Sequence, residues 1–261
     1  MKRSGWLLLE VLWLSGCGQV SERQVSLPVL GFTIAGTYRP APGRHHPALV
    51  LLHQLGGSRA DLAEVGKALA HDGYPSLAID LRGHGESTKF QGAELTWDNM
   101  STGLRRWATQ DVEAAVTFLR EQTGVDPERI AIFGASLGAN VAINYAAADP
   151  LIPTVILLSP GLEYQGIDTR EAVAASGSRP ILMVSSEEDS YAYQSTEALM
   201  GLAASPHSLQ LVLPGAAHGL DLLDDALYQD ILQWLGLYVR GAPEEELPSE
   251  EPVSPALEGA L

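Results

Sequence analysis

A mainly parallel, doubly wound α/β sheet with helices on both faces and no large lid domain is the fold class that this 261-residue sequence predicts. Three features carry the prediction. Apolar runs of strand length recur along the chain, and longer stretches with helical spacing separate them. The runs are continuous rather than alternating, as strands covered on both faces must be. Hydrophobic residues make up 46% and charged residues 18%, enough apolar material for one sizeable core.

In chain order, Phe32–Tyr38 reads as an antiparallel opening strand, and Ala48–His53 (ALVLLH) as the first buried one. Asp61–His71 is a helix with Leu62, Val65, Ala68 and Leu69 on one face. Ser76–Asp80 is a strand. Thr102–Glu121 is a long helix carrying Ala108, Val112, Ala115, Val116 and Leu119 inward. The strand Arg129–Phe133 leads into an alanine-rich helix, Leu137–Ala148. Strands follow at Thr154–Leu158, Ile181–Ser185 and Leu209–Leu213, and the helix Asp224–Val239 closes a body spanning residues 27–240.

The flanks differ in character. Residues 1–16 have a basic start (Lys2, Arg3), an apolar stretch from Trp6 to Leu14 interrupted by Glu10, and then small residues, the layout of an export signal. The run Leu14-Ser15-Gly16-Cys17 resembles the lipobox of bacterial lipoproteins. That resemblance implies cleavage before Cys17, acylation of its new N-terminus, and anchoring in the cell envelope, in the outer membrane where the host has one, because Gly18 rather than Asp follows. Several acyl chains at about 0.8 kcal/mol per buried CH₂ hold a protein stably on a bilayer. An ordinary signal peptide, or an apolar tail with a chance cysteine, is the alternative reading. Residues 17–26 read as a polar tether. Residues 241–261 contain six acids, four prolines and no Lys or Arg, a composition too poor in apolar surface to order itself. The net charge of −16 and the lack of a basic cluster beyond the N-terminus argue against nucleic acid as a partner. Oligomeric state is not legible.

In such sheets chemistry gathers beyond the carboxyl ends of the strands. There the strand RIAIF runs into Gly134-Ala135-Ser136-Leu137-Gly138 and then a helix. G-x-S-x-G alone is a weak signal; a strand before it and a helix after it make it informative. Glycines on both sides admit a sharp turn that pushes the hydroxyl forward, at a helix N-terminus that favours negative charge. The bland alternative is a glycine-rich turn with a bystander serine. A serine nucleophile needs a base. Of seven histidines, His218 fits, in the loop PGAAHG after the strand LQLVL. His45, His46, His71 and His207 read as solvated surface residues. The base needs an orienting acid. Asp189 lies deepest in the loop SSEEDS after the strand ILMVS, although Glu187 and Glu188 make a solvated acidic run the competing reading; Glu163 is the fallback acid. The chain order Ser, Asp, His is the order this architecture uses. Backbone donors for an oxyanion are expected from Leu137 and from Leu55, with Gln54 as the alternative.

With HQLGG at 53–57, DLRGHGES at 80–87, GASLG at 134–138, EED at 187–189 and AHG at 217–219, the chain resembles the α/β-hydrolase superfamily, its dienelactone-hydrolase and small-esterase branches in particular. The likeness spans about residues 27–240. It implies structural roles for Asp80 and Arg82 and a loop-organising role for His84. The common family pattern begins His-Gly where this chain has His53-Gln54, which leaves the second oxyanion donor open and brings an amide side chain towards the substrate. No histidine pair or His/Cys cluster has metal-ligand spacing, and the glycine-rich loops lack a phosphate-loop ending, so neither a metal nor a cofactor is expected.

The interval Ser159–Pro180, where relatives carry a lid, has room for one small helix, so an open site is expected. Leu55, Trp97, Leu162 and Tyr164 are candidate walls, with Gln54 beside them. The leading reaction is carboxylic-ester hydrolysis through an acyl-enzyme, on a small molecule or a polymer end. The same triad could serve a thioesterase, amidase or peptidase. A surface lipoprotein using the scaffold for binding without catalysis is the reading of another class.

Overall fold

The computed structural model describes residues 22–240. The expected signal at 1–16, Cys17 and the acidic tail at 241–261 lie outside the described residues. Among those described, no helix is long and apolar enough to cross a membrane.

The chain opens with a hairpin, β1 (Arg23–Val29) and β2 (Phe32–Arg39), closed at Leu30-Gly31, both with positive φ. Residues 23–26, expected in the tether, therefore form the first half of β1. Only Leu27 and Val29 of that strand are buried, so its sequence shows little apolar pattern; cross-strand pairing with β2 orders it instead. Next come β3 (His46–Leu52), a 3₁₀ turn at Arg59–Leu62 capped by Ser58, α1 (Ala63–His71) and β4 (Ser76–Ile79). A short hairpin, β5 (Lys89–Phe90) and β6 (Ala93–Glu94), precedes α2 (Thr102–Arg106) and α3 (Ala108–Arg120). The single helix expected at 102–121 is thus broken at exposed Trp107. No residue of α2 is buried, and Arg105 and Arg106 reach sideways to the carbonyls of Trp97 and Gly166.

The second half runs β7 (Val125–Ala135), α4 (Leu137–Ala148), β8 (Val155–Leu158), β9 (Glu163–Tyr164), β10 (Ile167–Asp168), α5 (Arg170–Ala175), β11 (Ile181–Ser186), α6 (Ser190–Met200), β12 (Leu209–Leu213) and α7 (Asp225–Leu235). The last helix is shorter than expected, because its final turn, Gly236–Arg240, widens into a π turn. Helix α6 carries no strong sequence period; the Asp189 side chain caps its start.

The main sheet has the order β12-β11-β8-β7-β3-β4-β2-β5-β6, with β1 beside β2. Pairings from β12 to β4 are parallel, and β2 joins β4 antiparallel. Alternation divides the core into two layers. Ala48, Val50 and Leu52 of β3 pack with α3 and α4, while Leu49 and Leu51 face α1 and α7. Helix α4 is apolar almost all round and is correspondingly sealed. Burial weakens at the edges, where β12 leaves Leu209 and Val212 exposed and β5, β6 and half of β1 lie open. The segment after β8 forms a small hairpin and one short helix, and among the described residues no large lid is present.

Candidate active site

Three loops at the carboxyl ends of β7, β11 and β12 meet. Ser136 sits between β7 and α4 with φ +51° and ψ −113°, a backbone conformation that costs a non-glycine residue about 1–3 kcal/mol. Its amide donates to Leu158 O on β8 at 2.8 Å, which helps hold the turn. Two glycines make the turn possible. A Cβ on Gly134 would lie 2.4 Å from Gly138 O, and one on Gly138 would lie 2.6 Å from the carbonyl oxygens of both Leu52 and His53. The helix carrying the serine can therefore abut the end of β3 only without side chains at these positions.

The Ser136 hydroxyl donates to His218 Nε2 at 2.8 Å, and His218 Nδ1–H donates to Asp189 Oδ2 at 2.5 Å. Glu187 and Glu188 are exposed, while the Asp189 side chain is 15% accessible and its other oxygen caps α6. A helix N-terminus stabilises that carboxylate. Glu163, the fallback acid, instead accepts from Gly166 N–H within the β9–β10 hairpin. His45, His71 and His207 are exposed, and His46 bonds to Pro42 O.

The loop bearing His218 is pinned on three sides. Ser186 Oγ donates to Ala217 O (2.6 Å), Gly219 N–H donates to Ser159 Oγ (2.9 Å), and Leu220 N–H donates to Gln54 Oε1 (3.0 Å). Gln54 thus lines the site with its carbonyl end committed to this loop. A glycine in its place, as in the common His-Gly pattern, would lack the tie.

Beneath the same loop, His53 is fully buried. Its Nδ1–H donates to Gln54 O at 2.7 Å and its Nε2 accepts from Leu81 N–H at 3.1 Å, which fixes the neutral tautomer. Burial is the main reason its pKa drops to about 4. Asp80 is buried and accepts from Arg59 and from the amides of Arg59 and Glu86. Arg82 and Asp111 form a fully buried pair at 2.6 Å. His84 stacks between His53 and Trp97, with ring centroids at 4.9 and 5.1 Å. These residues organise the loops that flank the site, as the resemblance implied.

A cavity of about 230 Å³ opens over the serine, lined by Gln54, Leu55, Ser136, Leu137, Tyr164, Gln165 and His218. Leu55 and Tyr164 are among these lining residues. Trp97 and Leu162 are not. Trp97 is 2% exposed and packs into the core against His84, and Leu162 is half-buried against the core beneath the hairpin. The chain turns both of them inward. Gln165 was missed, since nothing in its type marks the tip of a two-residue turn (φ +56°). Asn140 was missed as well. It is the one buried polar side chain in α4, four residues after Ser136, and that isolated polarity was the available signal. Its side chain donates to Ile167 O (2.9 Å) and accepts from Gly161 N–H (3.0 Å). Among the described residues no cluster of three His, Cys, Asp or Glu side chains could hold a metal.

Fold and site together define a hydrolase of the α/β-hydrolase fold. A family model described as Serine aminopeptidase, S33 matches residues 43–178, just over half of the sequence, and the chain belongs to that family. The match includes Ser136 and ends before Asp189 and His218. An uncharacterized protein of Mycobacterium tuberculosis is 29% identical over 223 residues, covering 78% of this chain and 74% of its own length. Among solved structures, a dienelactone hydrolase from Anabaena variabilis superposes with a TM-score of 0.66 at 20% identity, over 84% of this chain and 99% of that one. A cold-adapted esterase from an Arctic intertidal metagenomic library gives 0.67 at 23% identity, over 84% and 94%. At such identities these two likenesses show the fold.

Proposed function

We propose that the protein hydrolyses small, uncharged carboxylic esters through an acyl-enzyme on Ser136. The observation that carries this reading is the hydrogen-bonded chain Ser136–His218–Asp189 at the floor of a cavity of about 230 Å³. In acylation the Ser136 oxygen bonds to the carbonyl carbon as its proton passes to His218 Nε2. The resulting oxyanion is held by the amides of Leu137 and Leu55, with Gln54 as the alternative to Leu55. Both leucines line the cavity, and the amides of Leu55 and Leu137 donate to no other group among the described residues. The C–O bond to the alcohol then breaks, and the departing oxygen takes the proton from His218. Water repeats the sequence to free the acid.

The cavity lies below the roughly 300–1,000 Å³ of sites for drug-sized ligands, which favours short acyl groups. An aminopeptidase must also hold a substrate ammonium. Among the described residues none that lines the cavity carries a carboxylate, and Asp189 behind it is already engaged by His218. Esters therefore suit the site better than peptides with a free amino terminus.

The test is hydrolysis of p-nitrophenyl esters of rising acyl length by the purified full-length chain and by Ser136→Ala. Turnover that peaks at short acyl groups and disappears in the variant supports the reading. Well-folded protein that turns over no ester and takes no fluorophosphonate supports the non-catalytic scaffold instead. Anchoring through acylated Cys17 belongs to the same proposal, and incorporation of an alkyne fatty acid that is lost in Cys17→Ser tests it.

A further inference from the structure

Beyond the three side chains of the proton relay, a fourth polar group faces the serine. The Tyr164 hydroxyl is sealed from solvent, lies against Ser136, and completes no well-formed hydrogen bond among the described residues. Ser136 is its hydrogen-bonding neighbour, at poor geometry, and a buried hydroxyl so poorly partnered costs about 1–3 kcal/mol, so its retention in a cavity wall calls for an explanation.

The ring is held in place by several independent contacts. Tyr191 packs edge-on against it at 5.5 Å, and the Tyr191 hydroxyl both donates to Glu163 O (2.8 Å) and accepts from Glu163 N–H (3.1 Å). The ring lies so close over Gly161 that a Cβ there would sit 2.7 Å from it. The hairpin carrying it is tied to the nucleophile's own helix by Asn140 and by Asn144, whose amide donates to Asp168 O at 2.8 Å. From outside, Arg105 bonds the Gln165 side chain and Arg106 bonds Gly166 O. So many fixings on a two-residue strand position the hydroxyl relative to Ser136 more firmly than a hydrophobic wall requires.

Sheet order tells which part of a substrate it meets. Strand β7, which ends in Ser136, lies between β3 and β8. The loop after β3 supplies Leu55 on one side. Tyr164 follows β8 on the other, the side from which the loops after β11 and β12 bring Asp189 and His218, and its ring stands 6.3 Å from that of His218. The departing oxygen must leave on the side of His218, which protonates it. Burial and the neighbouring Asp189 carboxylate raise the tyrosine's pKa, so it stays a neutral donor.

We propose that the Tyr164 hydroxyl donates a hydrogen bond to the leaving-group oxygen of the ester, stabilising the negative charge that builds there as the C–O bond breaks. Tyr164 keeps its own proton; the one transferred comes from His218. The inference rests on the esterase reading and adds the group that handles the alcohol.

The experiment is kcat/KM, which reports acylation, for a series of acetate esters with the same acyl group and increasingly basic leaving groups: p-nitrophenyl, phenyl, trifluoroethyl and ethyl. In Tyr164→Phe the loss grows along the series and reaches about 100-fold at ethyl acetate, the scale of a hydrogen bond to a charged group. A loss of equal size throughout, or none, overturns the proposal and leaves the ring as a wall. Labelling of Ser136 by a fluorophosphonate, which expels fluoride rather than an alcohol, shows that the variant's nucleophile is intact. Where Tyr164→Phe fails to fold, Tyr191→Phe decides, because it frees the hairpin and keeps the hydroxyl: a smaller loss that still grows along the series supports the proposal, and a flat one overturns it. Wild-type protein inert to the whole series defeats the esterase reading itself, whereas an active wild type with a uniform loss in Tyr164→Phe defeats only this inference.

Discussion

Lowering the pH from 7.5 to 5 destabilises this protein through His53. The imidazole is fully buried, gives its one N–H to Gln54 O and receives Leu81 N–H on the other nitrogen. A second proton would set two N–H groups against each other in a fully buried site. The folded-state pKa falls from the ordinary 6.5 to about 4, with burial the largest cause. Above pH 6.5 both folded and unfolded chains hold the neutral ring and the group contributes no pH dependence. Between 6.5 and 4 the unfolded chain binds a proton that the folded chain refuses, so stability falls as pH falls, by about 1.4 kcal/mol per unit. The loss is about 2 kcal/mol at pH 5 and about 3 kcal/mol at pH 4. His84, whose pKa burial also lowers, adds to the loss with the same sign. Urea unfolding of the wild type and His53→Asn at pH 7.5, 6.5, 5.5 and 5 measures this. The wild type loses stability on the acid side and the variant, whatever its absolute stability, loses less. A flat wild-type profile over that range, or an unchanged slope in the variant, refutes the reasoning.

Other substitutions follow from the same geometry. Asp189→Asn leaves the fold intact and lowers kcat by about 10³–10⁴, measured on a p-nitrophenyl ester at neutral pH, because the wrong tautomer of His218 then faces Ser136. Arg82→Met strands Asp111 without a partner in the core and costs about 3–5 kcal/mol in urea unfolding, much of which Arg82→Met with Asp111→Leu recovers. Gly138→Ala drives a methyl group into the carbonyls of Leu52 and His53, shifts the helix that carries the serine, and lowers both Tm and kcat/KM, the latter by about 100-fold.

The sheet's interior was legible because its buried strands carry continuous apolar runs, and residues 48–52, 130–133 and 181–184 could only be covered on both faces. The relay was legible because G-x-S-x-G sits between such a strand and a helix, and because the loops after the next strands offer few side chains of the right kind. What escaped is set by tertiary contact rather than local pattern. Strand β1 shows its order only through pairing with β2. The break at Trp107 arises from arginines drawn sideways to the β9–β10 hairpin and to Trp97. That hairpin is four residues plus a turn, too short for any period. It nevertheless decides which wall residues count, bringing Tyr164 and Gln165 over the serine while Leu162 turns into the core. Gln54 was noticed as a departure from a common pattern, but its bond to the histidine loop joins residues 166 positions apart and has no local trace.

A single nucleophilic serine activated by one histidine is the claim on which the functional account stands. Intact-mass analysis of the full-length chain after reaction with a fluorophosphonate, followed by peptide mapping, tests it most directly. The account predicts one adduct per chain, located on Ser136, absent from Ser136→Ala and formed far more slowly in His218→Ala. A well-folded protein that takes no adduct, or takes it at another residue, contradicts it.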